Sequence, residues 1–228
     1  MHEGHRNRLK SKFLKNGLDS FEPHELLELL LFYSVPRKDT NELGHELLNS
    51  FGSLSAVFDA PIESLMTVKG VGEASATLIK LIPEICRKYM EDKYDHRNKV
   101  IHSKNAGEVF MSKFVGRVNE AVALMLLDSK CKLLFCGIVN EGSVNACDIY
   151  VRKLVELSIK YNASMAIIAH NHPSGIALPS RNDIQTTILV RDALRLVGIR
   201  LIDHIIVADD DYVSMSQSKL NDKVFEVN

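Results

Sequence analysis

The sequence predicts an α/β protein, a mixed β-sheet layered with helices, preceded by a small all-α domain. Three observations carry this expectation. Apolar runs of strand length at Ala121–Leu127, Lys132–Val139 and Ala163–Ala169 alternate with stretches whose apolar residues recur at helical spacing. The first ninety residues, by contrast, hold only short stretches of helical period. Between the two parts lies Glu91–Lys99, polar and mostly charged, which marks a boundary. The expected organisation is therefore a helical domain at 1–92, a linker at 93–103 and the α/β domain at 104–228.

Length and composition agree with this division. A chain of 228 residues forms one large or two modest domains, and 46% hydrophobic with 25% charged residues is ordinary for a soluble globular protein. No apolar run approaches a membrane span, since Glu28 interrupts Leu26–Tyr33, and the N-terminus lacks the apolar core of a secretory signal. A cytoplasmic protein without a membrane partner is expected. Four cysteines, Cys86, Cys131, Cys136 and Cys147, show no C-x-x-C spacing and suit reduced, partly buried thiols. Cys131 and Cys136 flank a predicted strand. The net charge of −1 offers no global argument for nucleic acid, and residues 1–92 carry 11 Lys+Arg against 14 Asp+Glu. Only the first fifteen residues are distinctly basic (Arg6, Arg8, Lys10, Lys12 and Lys15), which suits a solvated helix face or a phosphate-touching arm.

Taken in order, Pro23 suits the first turn of a helix whose apolar stripe is Leu26, Leu27, Leu29, Leu30 and Tyr33. Asp39 with Glu42 forms a capping pattern for the next helix, and Gly52 is placed to end it. A short helix starting near Pro61 carries Ile62 and Leu65. Leu65–Ala76 then resembles a helix-hairpin-helix element, with Lys69, Gly70 and Gly72 at its turn. Such a turn presents backbone N–H groups beside a helix start, which suits a DNA phosphate; a plain turn between packed helices is the alternative. A helix from Glu73 to about Met90 contains Pro83, so a kink or break is expected there. Asn105–Phe114 is helical. Asp128–Cys131 turns a hairpin between the first two strands, and Asp148–Tyr161 is a helix with Val151, Leu154, Val155 and Ile159 on one side. Arg181–Val197 is a long helix closed by Gly198. Ile199–Asp203 and His204–Ala208 are two strands, followed by a turn at 209–211 and an extended piece, Tyr212–Met215.

The third apolar run ends in His170-Asn171-His172, and Pro173, Gly175 and Pro179 force a loop after it. Imidazoles at i and i+2 of an extended segment share one face. Ser180 suits a helix N-cap, with Asp183 three residues later completing a capping pattern. Two imidazoles on a strand end and a carboxylate on a helix start make a three-ligand site for zinc with a fourth position open to water.

The order H-x-H-P-x-G-x(3)-P-S-x-x-D resembles the JAMM (MPN-plus) metalloprotease motif, and its form His-Asn-His-Pro-Ser-Gly resembles the RadC family. The resemblance covers nearly the whole chain: residues from about 104 to 220 match the RadC catalytic domain, and the helical part looks like the domain that accompanies it. It implies a JAMM/MPN-like fold related to the cytidine deaminases, one zinc per chain held by His170, His172 and Asp183, and a glutamate base near an early strand. The matching position is Glu120, with Glu108 and Glu141 as fallbacks. It also implies that Ser180 donates to the oxyanion. Asn171 departs from most JAMM sequences, where a small hydroxyl residue is common. His204, on a neighbouring strand, lies outside the family's ligand pattern and reads as structural.

Three classes of function follow: a zinc peptidase or isopeptidase acting on a protein or peptide, a metal-dependent nuclease or DNA-repair factor, and a binding module with a structural metal. A single two-histidine, one-carboxylate site with a glutamate base suits amide hydrolysis, whereas phosphodiester cleavage commonly uses two metals about 3.5–4 Å apart.

Overall fold

The structure, a computed structural model, describes residues 2–36, 38–93, 103–142, 147–173, 175–218 and 224–225. The chain divides into two compact units, Met1–Cys86 and Arg87–Asn228. Residues 94–102 of the expected linker lie outside the described residues.

The first unit contains helices α1 (His2–Asn16), α2 (Pro23–Leu31), α3 (Asn41–Phe51), α4 (Leu54–Asp59) and α5 (Ile62–Leu65), with the start of α6 (Glu73–Lys93). Leu27, Leu31, Leu47, Val57, Leu65 and Ile79 are wholly buried in its core, and each such side chain contributes about 1.5–3 kcal/mol. Pro23 does start α2, and Gly52 does end α3, at φ +87°. Other expectations need correction. The N-cap position of α3 is Thr40, whose hydroxyl is turned inward, donating to the Glu28 carbonyl at 3.2 Å, while the Asp39 carboxylate accepts from the Asn41 N–H at 3.0 Å. Tyr33 lies outside the stripe and is exposed. Glu28, in the middle of that stripe, is buried. Pro83 causes no break, because α6 runs through it as one helix. Gly44 lets α3 close on α2: a Cβ there would sit 2.7 Å from the His24 carbonyl oxygen. Of the basic residues in α1, Arg6 is engaged, donating to the carbonyls of Val35, Pro36 and Lys38.

The second unit is built on a five-stranded sheet. Its elements are α7 (Ser103–Phe114), β1 (Ala121–Leu127), β2 (Leu133–Glu141), α8 (Cys147–Lys160), β3 (Met165–Asn171), α9 (Arg181–Leu196), β4 (Arg200–Ala208) and β5 (Asp211–Ser214). Strand order is β2-β1-β3-β4-β5, with β3 and β4 parallel and the other pairs antiparallel. All seven residues of β1 are buried because both faces of the sheet are covered. Ala121, Ala123, Met125 and Leu127 pack with Val109, Phe110 and Phe114 of α7. Val122, Leu124 and Leu126 pack on the other face with Leu154 of α8 and Val190 and Leu194 of α9. Gly107 lets α7 close on β5, since a Cβ there would come within 2.2 Å of the Tyr212 ring.

Further expectations change. Residues 200–208 form one strand, not two; its polar pair Asp203-His204 is buried and hydrogen-bonded rather than a break. Cys136 lies inside β2 rather than at its flank, and Cys86 is exposed. Ile159 faces outward, and Ser158 takes the buried position on α8. No helix among the described residues is long and apolar enough to cross a membrane.

Candidate metal centre

The site sits where β3 ends and α9 begins, beyond the carboxyl ends of the parallel pair β3/β4, where α/β sheets bind ligands. His170 is opposite Val122 and beside Ile206, and Val122 faces α8 and α9. Strand period sends His172 to that same face. The His172 N–H donates to the Val207 carbonyl at 2.8 Å, extending the ladder one residue past β3. The chain then turns, with the Gly175 N–H donating to the His172 carbonyl at 3.1 Å and Gly175 at φ +79°, a conformation that favours glycine. Ser174 lies outside the described residues.

Ser180 caps α9 as the capping pattern predicts. Its hydroxyl oxygen accepts from the Asp183 N–H at 3.1 Å, and its own N–H donates to Asp183 Oδ2 at 2.7 Å. That box fixes the carboxylate. Asp183 Oδ1 is held 3.2 Å from His170 Nε2, Oδ2 lies 3.5 Å from His172 Nε2, and the two Nε2 atoms are 2.9 Å apart. A tetrahedral zinc with bonds of about 2.0–2.1 Å separates its ligand atoms by about 3.3 Å, so the three groups are spaced as ligands of one ion. His172 Nδ1 is 2.9 Å from the Ile176 carbonyl, which can only accept, so Nδ1 carries a proton and Nε2 is the ring nitrogen that faces inward. The donor set fits a divalent metal, and these three residues are the one such cluster among the described residues.

Electrostatics agree. Burial alone would raise the Asp183 carboxyl, but hydrogen bonds from His170 and Ser180, with the His170 charge, outweigh it and hold the pKa well below the usual carboxylate range. The start of α9 favours the same negative charge. Behind His170 stands His204 of β4, whose Nε2 is 2.8 Å from His170 Nδ1. Burial, aided by repulsion from His170 and His172, drives the His204 pKa well below its ordinary value despite the opposing Asp183 charge. His204 is therefore neutral. Its Nδ1 contacts the Thr187 hydroxyl at 2.6 Å.

Glu120 immediately precedes β1 and is exposed. Continuing the β1–β3 register by two residues from Val122↔His170 sets Glu120 opposite His172, on the metal face. The buried Asn171 amide brackets this position, accepting from the Ala121 N–H at 2.7 Å and donating to the Asn119 carbonyl at 3.1 Å. Neither fallback glutamate is brought there. Glu141 pairs with Ala121, whose face is covered by α7, and it is bound by Arg117. Glu108 lies exposed on α7 itself. In the first unit Lys69, Gly70 and Gly72 are exposed at the turn between α5 and α6, with Gly70 at φ +100°.

Sequence reasoning gave His204 only a structural place and overlooked Thr187 and Asp203. The available signal was a polar pair inside an otherwise apolar stretch. Asp203 accepts from the N–H groups of His204 (2.8 Å) and Ser216 (3.0 Å) and from the Ser214 hydroxyl (2.6 Å), fixing the backbone that carries His204.

Known proteins resemble this chain over most of its length. A sequence profile described as the RadC-like JAB domain matches residues 100–220, and one described as UPF0758 N-terminal matches residues 3–77. A UPF0758 protein of Fusobacterium nucleatum is 34% identical over 96% of this chain and 97% of its own length. UPF0758 proteins of Ruegeria pomeroyi and Vibrio cholerae are each 34% identical, over 89% and 91% of this chain and 91% and 93% of their own lengths.

Proposed function

The chain belongs to the RadC (UPF0758) family, and from that premise we propose that it is a cytoplasmic zinc-dependent hydrolase of the JAMM type, cleaving peptide or isopeptide bonds. The observation that carries the reading is the convergence of His170 Nε2, His172 Nε2 and an Asp183 oxygen within 3.5 Å of one another. These residues would hold the metal. A bound zinc supplies the Lewis acid that makes water nucleophilic near neutral pH and polarises a carbonyl. Glu120 takes the proton from the attacking water and delivers it to the leaving amine. Asn171 fixes the peptide groups on both sides of Glu120, so the carboxylate reaches the site from a held backbone. Ser180 has one hydroxyl proton, shared between the Asp183 carboxylate and the oxyanion of the tetrahedral intermediate.

Ligand supply favours this reading over its rivals. A two-metal nuclease needs a second cluster, and the described residues offer one. A closed structural site needs a fourth protein ligand, and the neighbouring His204 turns its Nε2 to His170 Nδ1 instead. The exposed Gly70–Gly72 turn before α6 supports a weak, sequence-independent contact with DNA phosphate as an accessory property. The deciding experiment presents the zinc-loaded protein with peptide, isopeptide and nucleic-acid libraries, with Glu120→Gln as the matched control. Amide cleavage that vanishes in the control supports the proposal; phosphodiester cleavage by both proteins overturns it.

A further inference from the structure

The hydrogen bonds behind His170 have a direction. Thr187 Oγ1 lies 2.5 Å from the Asp183 carbonyl and 2.6 Å from His204 Nδ1. A carbonyl can only accept, so the first contact is a hydrogen bond only when Thr187 donates its single proton there. A threonine donating to the carbonyl four residues earlier is an established helix geometry. The Thr187 oxygen must then accept from His204, which places the His204 proton on Nδ1. A neutral imidazole with Nδ1–H has a bare Nε2, and that atom is the one 2.8 Å from His170 Nδ1. His170 therefore donates from Nδ1, which makes its Nε2 the ring nitrogen that meets Asp183 and His172. The reverse order fails at both ends. It would set the Thr187 and Asp183 oxygens against each other with no proton between them, and it would place the His170 proton on the ligating nitrogen.

We propose that His204 is a positioning residue for the metal centre: with Thr187 it locks His170 in the metal-ready tautomer and ties that ring to the backbone of Asp183. The relay runs through three elements, from β3 to β4 to α9, so it links two ligands that the sequence keeps 13 residues apart. Its two inner members are screened from water, with Thr187 at 0% and His204 at 2% exposure, so solvent does not compete for the proton between them. Asp203, Ser214 and Ser216 brace the strand position from which His204 reaches.

The inference rests on the metal reading of the same site, and two readouts separate them. Zinc affinity is measured by chelator competition on the full chain for wild type, His204→Phe, His204→Gln, Thr187→Val and Thr187→Ser. The position of the His170 proton is read from imidazole ¹⁵N shifts of the metal-free protein. His204→Phe keeps the ring volume but removes the acceptor, and zinc binding is expected to weaken 10- to 100-fold, the usual effect of losing such an outer partner. His204→Gln offers an oxygen to His170 and an amide N–H to Thr187, so it recovers most of the affinity. Thr187→Val spares His204 but frees it to flip its proton, giving a mixed His170 tautomer, whereas Thr187→Ser retains the wild-type state. If His204→Phe does not fold, the Thr187 pair decides. Zinc affinity within threefold of wild type in both His204→Phe and Thr187→Val, with the His170 proton still at Nδ1, overturns the proposal. A wild-type chain that binds no zinc defeats the metal reading instead, and the tautomer shifts then decide this one alone.

Discussion

Each unit of this molecule holds a carboxylate against histidine, and the two differ in what they leave unsatisfied. In the first unit Glu28 is 1% exposed, yet both its oxygens have donors: His5 Nε2 at 2.8 Å on one and Asn41 Nδ2 at 2.8 Å on the other. That cluster is closed, and it joins α1, α2 and α3. In the second unit the count is reversed. Asp183 meets two imidazole nitrogens whose other ring positions are engaged with Ile176 and His204. Two imidazole Nε2 atoms and one carboxylate converge on a single point, the donor set of a divalent cation. Residue type does not distinguish a structural pair from a metal site; the balance of donors and acceptors does.

The contrast breaks most visibly in turnover. Glu120→Gln should lose about 10²–10⁴ in rate, or about 2.7–5.5 kcal/mol of barrier, while zinc content stays at the wild-type level. Parallel rate and metal assays check this, and a glutamine variant at full rate removes Glu120 from the mechanism. Glu28→Ala should show the opposite profile. It strands His5 and Asn41 and costs about 1–3 kcal/mol in denaturant unfolding, with zinc affinity unchanged. A loss of zinc in that variant would mean that the two clusters are coupled.

Acid separates the clusters more gently. The folded Asp183 carboxyl is depressed below its unfolded value of about 3.9. Its contribution to stability is therefore present above that pH and lost as pH falls through the lower folded value. Metal-free wild type should lose stability below about pH 4 more steeply than Asp183→Asn, as urea midpoints across that range would record. Equal slopes would remove Asp183 as the source. The smallest effect concerns the Gly70–Gly72 turn. Duplex DNA should bind it weakly, at about 10⁻⁴–10⁻⁶ M and with strong salt dependence, and tight binding that resists salt would contradict a phosphate-only contact.

Much of this was legible in order along the chain because the determinants are local. β1 was found to the residue because all seven positions are apolar and buried on both faces. The two histidines and Asp183 were legible because strand period and a capping box fix them within fourteen residues. What escaped depends on partners distant in sequence. Asp203-His204 looked like a strand break because the groups satisfying it, Thr187, Ser214 and His170, come from other elements. Thr40 stands at the N-cap position without capping because its hydroxyl is engaged by the Glu28 carbonyl twelve residues earlier, and Asp39 accepts from the Asn41 N–H instead. Glu28 looked like an interruption of an apolar stripe because nothing nearby announces His5 and Asn41. Pro83 did not break α6, and the missing N–H alone was not enough to predict otherwise.

The central claim is that His170, His172 and Asp183 converge for one metal ion, and zinc stoichiometry tests it most directly. Wild type, His172→Ala and Glu28→Gln are purified side by side, equilibrated with zinc, desalted and assayed by elemental analysis. One zinc per chain is expected in wild type and in Glu28→Gln, and clearly less than one in His172→Ala. Full occupancy in His172→Ala would contradict the assignment.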